Sequence, residues 1–152
     1  MFGTRIVAGR GDADLLRTGR NDPLCPTDDR ARNRLENDQA ASYTPFEADV
    51  FVEQKMSLPE VAGIPGHIAV LPEHTEGSLV VVVGTMALVG DLFRGSIIGS
   101  SAKTHFYMCD LDDNRDDIRT VLDQIAPDAK LFFTGHFGPV ERRKVVALVR
   151  DR

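Results

Sequence analysis

Two histidines and one aspartate occupy positions that are typical of metal ligands. His74 follows the apolar run 68–71, Asp91 follows the apolar run 86–89 after one glycine, and His136 follows a short aromatic run. Functional side chains concentrate on loops at the ends of rigid strands. Because imidazole and carboxylate groups are the ligands of catalytic zinc, this pattern indicates a metal site that could serve a hydrolase.

Asp91 admits two interpretations. A carboxylate flanked so closely by apolar residues is costly to bury without a partner, and a bound cation would offset that cost. Alternatively, the Asp91 side chain caps the following turn by accepting hydrogen bonds from backbone N–H groups. Both interpretations stay open at the level of the sequence.

The other two histidines fit different roles. His105 lies in an aromatic patch with Phe106 and Tyr107, and this context predicts that it packs against the core. His67 follows a Pro-Gly pair, so we expect it to be exposed in a turn. Since a lone histidine has many possible roles besides metal binding, only His74 and His136 are candidate ligands among the four histidines of the chain.

Other catalytic chemistries fit the sequence poorly. It contains neither a GxSxG nucleophile elbow nor a phosphate-binding GxxxxGK[ST] or GxGxxG loop. The acidic run 110–117 lacks the glycine and final glutamate of an EF-hand, and is interpreted as a helix cap with a solvated first turn. Cys25 and Cys109 lie far apart without CxxC spacing, so free thiols are predicted.

Composition bounds the class of protein. The chain has 152 residues, a net charge of -5 and 42% hydrophobic residues, which suits one globular domain with its own core. The excess of acids is not the footprint of a nucleic-acid-binding protein. No apolar run reaches the roughly 18 residues that cross a bilayer, and no apolar signal core follows Met1. The sequence therefore predicts a cytoplasmic protein without membrane contacts.

The chain changes character near Ser42. Residues 1–42 are rich in Arg, Asp, Asn and Gly and sustain no helical or alternating period, so we expect a poorly structured segment with one marginal strand at 5–8. Residues 43–152 have the pattern of a folded domain, with a hairpin at the Gly84-Thr85 pair. Its predicted strands lie at 49–53, 68–71, 79–83, 86–89 and 130–133.

Two helices complete the predicted domain. A helix is expected from a cap at Asp112 or Asp113 to about Ile125, because apolar residues recur there at i, i+3, i+4 and i+7. Pro139 is expected to begin the last helix, which ends near Val149. This order of elements predicts an α/β fold, in which a mixed sheet has flanking helices.

Three motifs, in the same order along the chain, resemble those of the metallo-β-lactamase fold superfamily. PEHTEGS at 72–78 follows an apolar run and resembles the family's PGHTPGS, with Glu73 and Glu76 in place of glycine and proline. VGDLF at 89–93 resembles the motif of the aspartate that bridges two metals. TGHFGPV at 134–140 resembles the GHG element that precedes the last helix.

The resemblance covers residues 43 to about 140 and implies the C-terminal half of an αββα sandwich. It implies that His74 binds a first zinc ion, that His136 binds a second, and that Asp91 bridges them. The family's other ligands come from an upstream HxHxDH element, and this sequence has no histidine before His67. The implied ligand set is therefore incomplete, since catalytic zinc normally has three protein ligands.

The resemblance leads to three functional hypotheses. The chain is a zinc-dependent hydrolase of a small-molecule ester, lactone, amide or thioester; or a catalytically inactive binding or assembly module; or a truncated piece of a longer enzyme, to which residues 1–42 are not native. Half of the sandwich would expose an apolar sheet face. A homodimer is one physical way to cover that face.

Overall fold

A computed structural model describes residues 4–72 and 74–150. Glu73, which departs from the family motif, lies outside the described residues, as do the chain ends at 1–3 and 151–152. The strands of the described part are β1 (Val7–Gly9), β2 (Val50–Val52), β3 (Lys55–Ser57), β4 (His67–Val70), β5 (Leu79–Val83), β6 (Met86–Gly90), β7 (Arg94–Gly95), β8 (Ala102–Lys103), β9 (Leu131–Thr134) and β10 (Val140–Glu141). Its α-helices are α1 (Ala13–Thr18), α2 (Asp29–Ala40), α3 (Leu58–Ala62), α4 (Leu111–Thr120) and α5 (Arg142–Arg150), with a 3-10 turn at Arg10–Asp12 and a π-helical turn at Val121–Ile125. None of the described helices is long and apolar enough to cross a membrane.

A six-stranded mixed sheet forms the centre of the fold, in the order β10-β9-β6-β5-β4-β3. β6 and β9 are parallel, whereas the other neighbours are antiparallel. The predicted hairpin is confirmed: Gly84, at φ 56°, turns β5 into β6, in a conformation that glycine adopts without strain. It follows that β4, β6 and β9 run in the same direction, so that their carboxyl ends lie at one edge of the sheet.

The two faces of the sheet are buried to different degrees. Val80 and Val82 of β5 belong to the main core with Phe93 and Phe132, which packs under α4, the π-helical turn and α5. The alternate residues of β5 point to the opposite face, where they are only partly buried in a smaller cluster around Val52. The valine-rich strand is thus fully buried on one face and partly buried on the other.

Part of the second sheet face is exposed and apolar. Met86 is 40% exposed, Leu88 is 46% exposed and Phe133 is 37% exposed. Leu88 lies opposite Val81 on one side and beside Phe133 on the other, so that these side chains share one face. This is the apolar surface expected of half a sandwich.

Both helices of the predicted domain begin at other residues in the structure than the sequence predicts. Asp110, not Asp112 or Asp113, caps α4, because its carboxylate accepts hydrogen bonds from the two backbone N–H groups of those residues. The last helix begins at Arg142 and not at Pro139, since residues 140 and 141 first pair with β9 as strand β10.

Residues 4–42 contain more regular structure than the sequence predicts. β1 pairs in parallel with β2, and Asp28 caps α2 by accepting a hydrogen bond from the Ala31 N–H. Ala31 is the one buried residue of α2, and a helix that is polar nearly all round has no apolar stripe for a periodicity search to find. The division of the chain near residue 42 stays a prediction.

The two cysteines form a disulfide, so the prediction of free thiols is wrong. Cys25 and Cys109 are separated by 84 positions along the chain. The Met108 N–H donates to the Cys25 carbonyl at 2.7 Å, and Pro26 forms an isolated bridge with Tyr107. This local pairing brings the two thiols together, and the spacing of cysteines along a sequence does not reveal it.

Candidate metal centre

The topology of the sheet brings the three predicted ligands together. His74, Asp91 and His136 follow β4, β6 and β9, whose carboxyl ends share one edge. The Gly135 N–H donates to the Gly90 carbonyl at 2.7 Å and so ties the loops after β6 and β9 to each other. As a result, His136 Nε2 lies 3.7 Å from Asp91 Oδ1.

His105 is a fourth member of the cluster, and sequence reasoning missed it. Its Nε2 lies 3.5 Å from Asp91 Oδ1, and the ligand atoms of His74, Asp91 and His105 all lie within 4.8 Å of one another. The His105 ring centroid is 4.8 Å from that of His74 and 5.4 Å from that of His136. His105 is buried, as predicted, but its ring faces the site. It follows only the two-residue strand β8, which is too short to give a pattern that a sequence search could use.

Two buried atoms of the cluster lack a hydrogen-bond partner among the described residues. These atoms are Asp91 Oδ1 and His105 Nε2. The alternative in which Asp91 caps a turn is therefore not met at Oδ1, and a bound cation would satisfy this oxygen. Imidazole nitrogens with one carboxylate oxygen form a donor set that suits a divalent ion such as zinc.

Burial keeps His105 in the form that a metal requires. It lowers the pKa of His105 below its ordinary value, and the nearby Asp91 carboxylate raises that pKa by less. Only the neutral imidazole has a lone pair to offer a metal.

A residue of the N-terminal segment positions the loop that carries His74. The Thr75 hydroxyl donates to Asp12 Oδ2 at 2.8 Å, and the Gly77 N–H donates to Asp12 Oδ1 at 2.8 Å. A β-carbon on Gly77 would lie 2.5 Å from the Asp12 carboxyl carbon, so that only glycine permits this close approach. Asp12 lies in the segment predicted to be poorly structured, and nothing in its local sequence marks this role.

Tyr107 connects the loop of His105 to α2. Its hydroxyl donates to Asp38 Oδ2 and lies 3.3 Å from the Ala31 carbonyl. Burial, together with this hydrogen bond to Asp38, raises the pKa of Tyr107 to about 12. The phenol therefore stays protonated at neutral pH and can serve as a fixed donor that holds the two elements together.

A cavity of about 470 Å³ adjoins the cluster. Its lining combines the four clustered side chains with two arginines of α2 and with apolar side chains. These residues include His74, Asp91, His105, His136, Arg30, Arg34, Leu24, Ile97, Phe106 and Phe137. The cavity has the size, the apolar walls and the few convergent polar groups of a small-molecule site.

Comparison of the sequence with protein-family models and with curated proteins gives no match. Several solved structures do resemble this fold. An archaeal metallo-β-lactamase superfamily protein from Sulfolobus tokodaii matches with 11% identity and a TM-score of 0.59, over 96% of this chain and 57% of its own. A metallo-β-lactamase family protein from Thermus thermophilus matches with 19% identity and a TM-score of 0.58, over 97% of this chain and 52% of its own. The DIM-1 metallo-β-lactamase matches with 14% identity and a TM-score of 0.51, over 76% of this chain and 49% of its own.

The chain therefore has the fold of the metallo-β-lactamase superfamily, as its motifs predict. It spans about half the length of these solved structures, which fits the predicted C-terminal half of the sandwich. A likeness at this level of identity establishes the fold alone. The ligand roles of His74, Asp91 and His136 stay predictions.

Proposed function

We propose that this chain binds a divalent metal ion, zinc in the first instance, through His74, Asp91 and His136, and that it hydrolyses a small ester, lactone, amide or thioester. The observation that carries the proposal is Asp91, whose Oδ1 is buried and has no hydrogen-bond partner in the described part of the chain. His136 Nε2 lies 3.7 Å from this oxygen. A cation would satisfy both groups, and the fold supports the general class of a metallohydrolase.

The chain's own residues would hold and orient the reacting groups. When bound, zinc supplies Lewis-acid chemistry, which polarises a carbonyl and makes water more acidic. Asp91 directly follows β6, and Asp12 holds the loop that carries His74, so the geometry of both side chains is preorganised. The side chain of His136 is 48% exposed and lines the cavity, which leaves it accessible to a substrate.

The cavity supports a substrate with an apolar part and an anionic group. Phe106 and Phe137 supply apolar surface, while Arg30 and Arg34 lie one helical turn apart and line the same cavity. Arg34 is partly neutralised by Asp38, at 3.5 Å. Arg30 has no carboxylate within ion-pair distance in the described part of the chain. A carboxylate on the substrate would be a natural partner for Arg30.

Metal analysis of the purified chain, followed by a hydrolysis assay, tests the proposal. We expect close to one zinc ion per chain and chelator-sensitive hydrolysis of an ester and lactone panel. The His74→Ala/His136→Ala double variant should lose both properties, whereas His67→Ala, at the opposite sheet edge, should keep both. Zinc binding without hydrolysis would favour the inactive binding module. The absence of zinc from the wild type would contradict the proposal.

Two further proposals concern assembly and origin. A homodimer would cover the exposed face formed by Met86, Leu88 and Phe133, and sedimentation velocity of the wild type and of Leu88→Lys tests it.

The hypothesis of a piece of a longer enzyme is supported by the half-length matches. An HxHxDH element encoded upstream in the DNA would favour it, and the absence of such an element would count against it.

The cytoplasmic location also stays a proposal. The Cys25–Cys109 bond argues against it, because disulfides persist mainly in oxidising compartments. Fractionation of cells that express the native gene, with an antibody against the chain, decides between the cytoplasm and an oxidising compartment.

A further inference from the structure

His105 has the burial and the contacts of a metal ligand. It is 3% exposed, and its Nε2 is buried without a hydrogen-bond partner among the described residues. Asp91 Oδ1 is also buried without a hydrogen-bond partner among the described residues, and it lies 3.5 Å from this nitrogen. Buried polar atoms are normally paired, and one cation between these two atoms would be a partner for both.

The second ring nitrogen of His105 allows the tautomer that a cation needs. With its ring proton on Nδ1, His105 donates to the Tyr107 carbonyl oxygen, which lies 3.2 Å from Nδ1. In the other tautomer, Nδ1 accepts a hydrogen bond from the Tyr107 N–H at 3.3 Å and Nε2 carries the proton. With the proton on Nδ1, Nε2 presents a lone pair to the Asp91 carboxylate, and a cation between them removes the repulsion. Metal-binding histidines commonly donate their other N–H to a backbone carbonyl in this way.

The spacing of the group suits a single ion. The ligand atoms of a tetrahedral zinc site, with bonds of about 2.0–2.1 Å, lie about 3.4 Å apart. The distance from His105 Nε2 to Asp91 Oδ1 is 3.5 Å. The ligand atom of His74 completes a set within 4.8 Å. His136 Nε2, at 3.7 Å from Asp91 Oδ1, lies on the more exposed side.

We propose that His105 is a metal ligand, and that His74, Asp91 and His105 form the three-residue core of a site for one divalent ion, with His136 as the outer ligand. This inference rests on the proposed function and changes its ligand set. In this ligand set, the segment after β8 supplies a third protein ligand from within the described part of the chain. The proposed site holds one metal ion and supplies the three protein ligands that catalytic zinc normally has.

Zinc titration of the metal-free protein by calorimetry, with cobalt(II) absorption as a second readout, tests the proposal. His105→Gln keeps a buried side chain of similar length but removes the imidazole. We expect zinc affinity to fall by more than about 100-fold, which exceeds the loss caused by replacing a residue that only hydrogen-bonds to a metal ligand. The visible cobalt(II) bands should also weaken, as expected when a tetrahedral ligand is lost. The matched control is His67→Gln, since His67 contacts the Ile125 carbonyl at 3.0 Å away from the cluster, and it should bind as the wild type does.

A measurement on the wild type covers the case in which His105→Gln fails to fold. In long-range ¹H–¹⁵N spectra, added zinc should shift Nε2 of His105 and leave the resonances of His67 in place. Zinc binding with an unshifted His105, or a His105→Gln variant with wild-type affinity, would overturn this inference alone. A wild type that takes up no zinc would overturn the proposed function together with it.

Discussion

Replacement of both cysteines by serine should lower the stability of the chain strongly. The Cys25–Cys109 bond closes a loop across 84 positions of sequence. In the chain-entropy model, a loop of this length removes about 15 cal/mol/K from the unfolded ensemble, or about 4.5 kcal/mol at 25 °C. Domains of ordinary size have a free energy of unfolding of about 5–15 kcal/mol, so this loss is a large fraction of the total.

The native contacts around the bond should survive its removal. Met108 N–H donates to the Cys25 carbonyl at 2.7 Å, the Thr27 hydroxyl donates to the His105 carbonyl at 2.7 Å, and Tyr107 donates to Asp38. These contacts hold the segment in place without the sulfur atoms. The destabilisation should therefore arise in the unfolded state, with little change in native far-ultraviolet circular dichroism.

Urea unfolding of the oxidised wild type and of the Cys25→Ser/Cys109→Ser variant measures the effect. With an m-value of about 1–3 kcal/mol/M, the unfolding midpoint should fall by about 1.5 M or more. Dithiothreitol should lower the midpoint of the wild type and leave that of the double variant unchanged. Equal midpoints for the oxidised wild type and the variant would refute the reasoning, as would two titratable thiols in the denatured, unreduced wild type.

Three further substitutions have defined outcomes. Phe132→Ala removes a side chain that is 0% exposed and should lower the free energy of unfolding in urea by about 3–5 kcal/mol. Phe133→Ala, at the exposed neighbour, should cost far less. Equal losses for the two variants would mean that Phe132 is not a core residue. Burial and neighbouring acids raise the pKa of Asp117, so its charge destabilises the fold above that pKa. Asp117→Asn should therefore stabilise the chain at pH 7 by about 0.2–0.5 kcal/mol, and this gain should shrink as the pH falls through the folded-state pKa; a gain independent of pH would contradict the assignment. A β-carbon on Gly135 would lie 2.3 Å from Asp91 Oδ1, so Gly135→Ala should weaken zinc binding by about 10-fold or more in calorimetry, and unchanged affinity would mean that Asp91 is not a ligand.

Local patterns were enough to predict the centre of the fold. The run of valines at 79–83 and the Gly84-Thr85 pair mark a hairpin that depends only on neighbouring residues, and the structure contains it. Three residues of the predicted apolar helix face, Ile118, Val121 and Leu122, are likewise buried. Helix starts were less predictable, because the choice of cap among several aspartates depends on small differences in backbone geometry.

The sequence by itself determined the strands β2, β4, β5, β6 and β9 and the positions of His74, Asp91 and His136 after three of them, because alternation, turn residues and short motifs are local properties of the chain. Only the tertiary structure decided which distant groups join them. His105 enters the cluster from a segment without regular pattern, Asp12 holds the His74 loop across 63 positions, and the disulfide spans 84 positions. Such contacts depend on how the sheet, α2 and the connecting loops pack in three dimensions, and the spacing of residues along the chain carries no record of that packing.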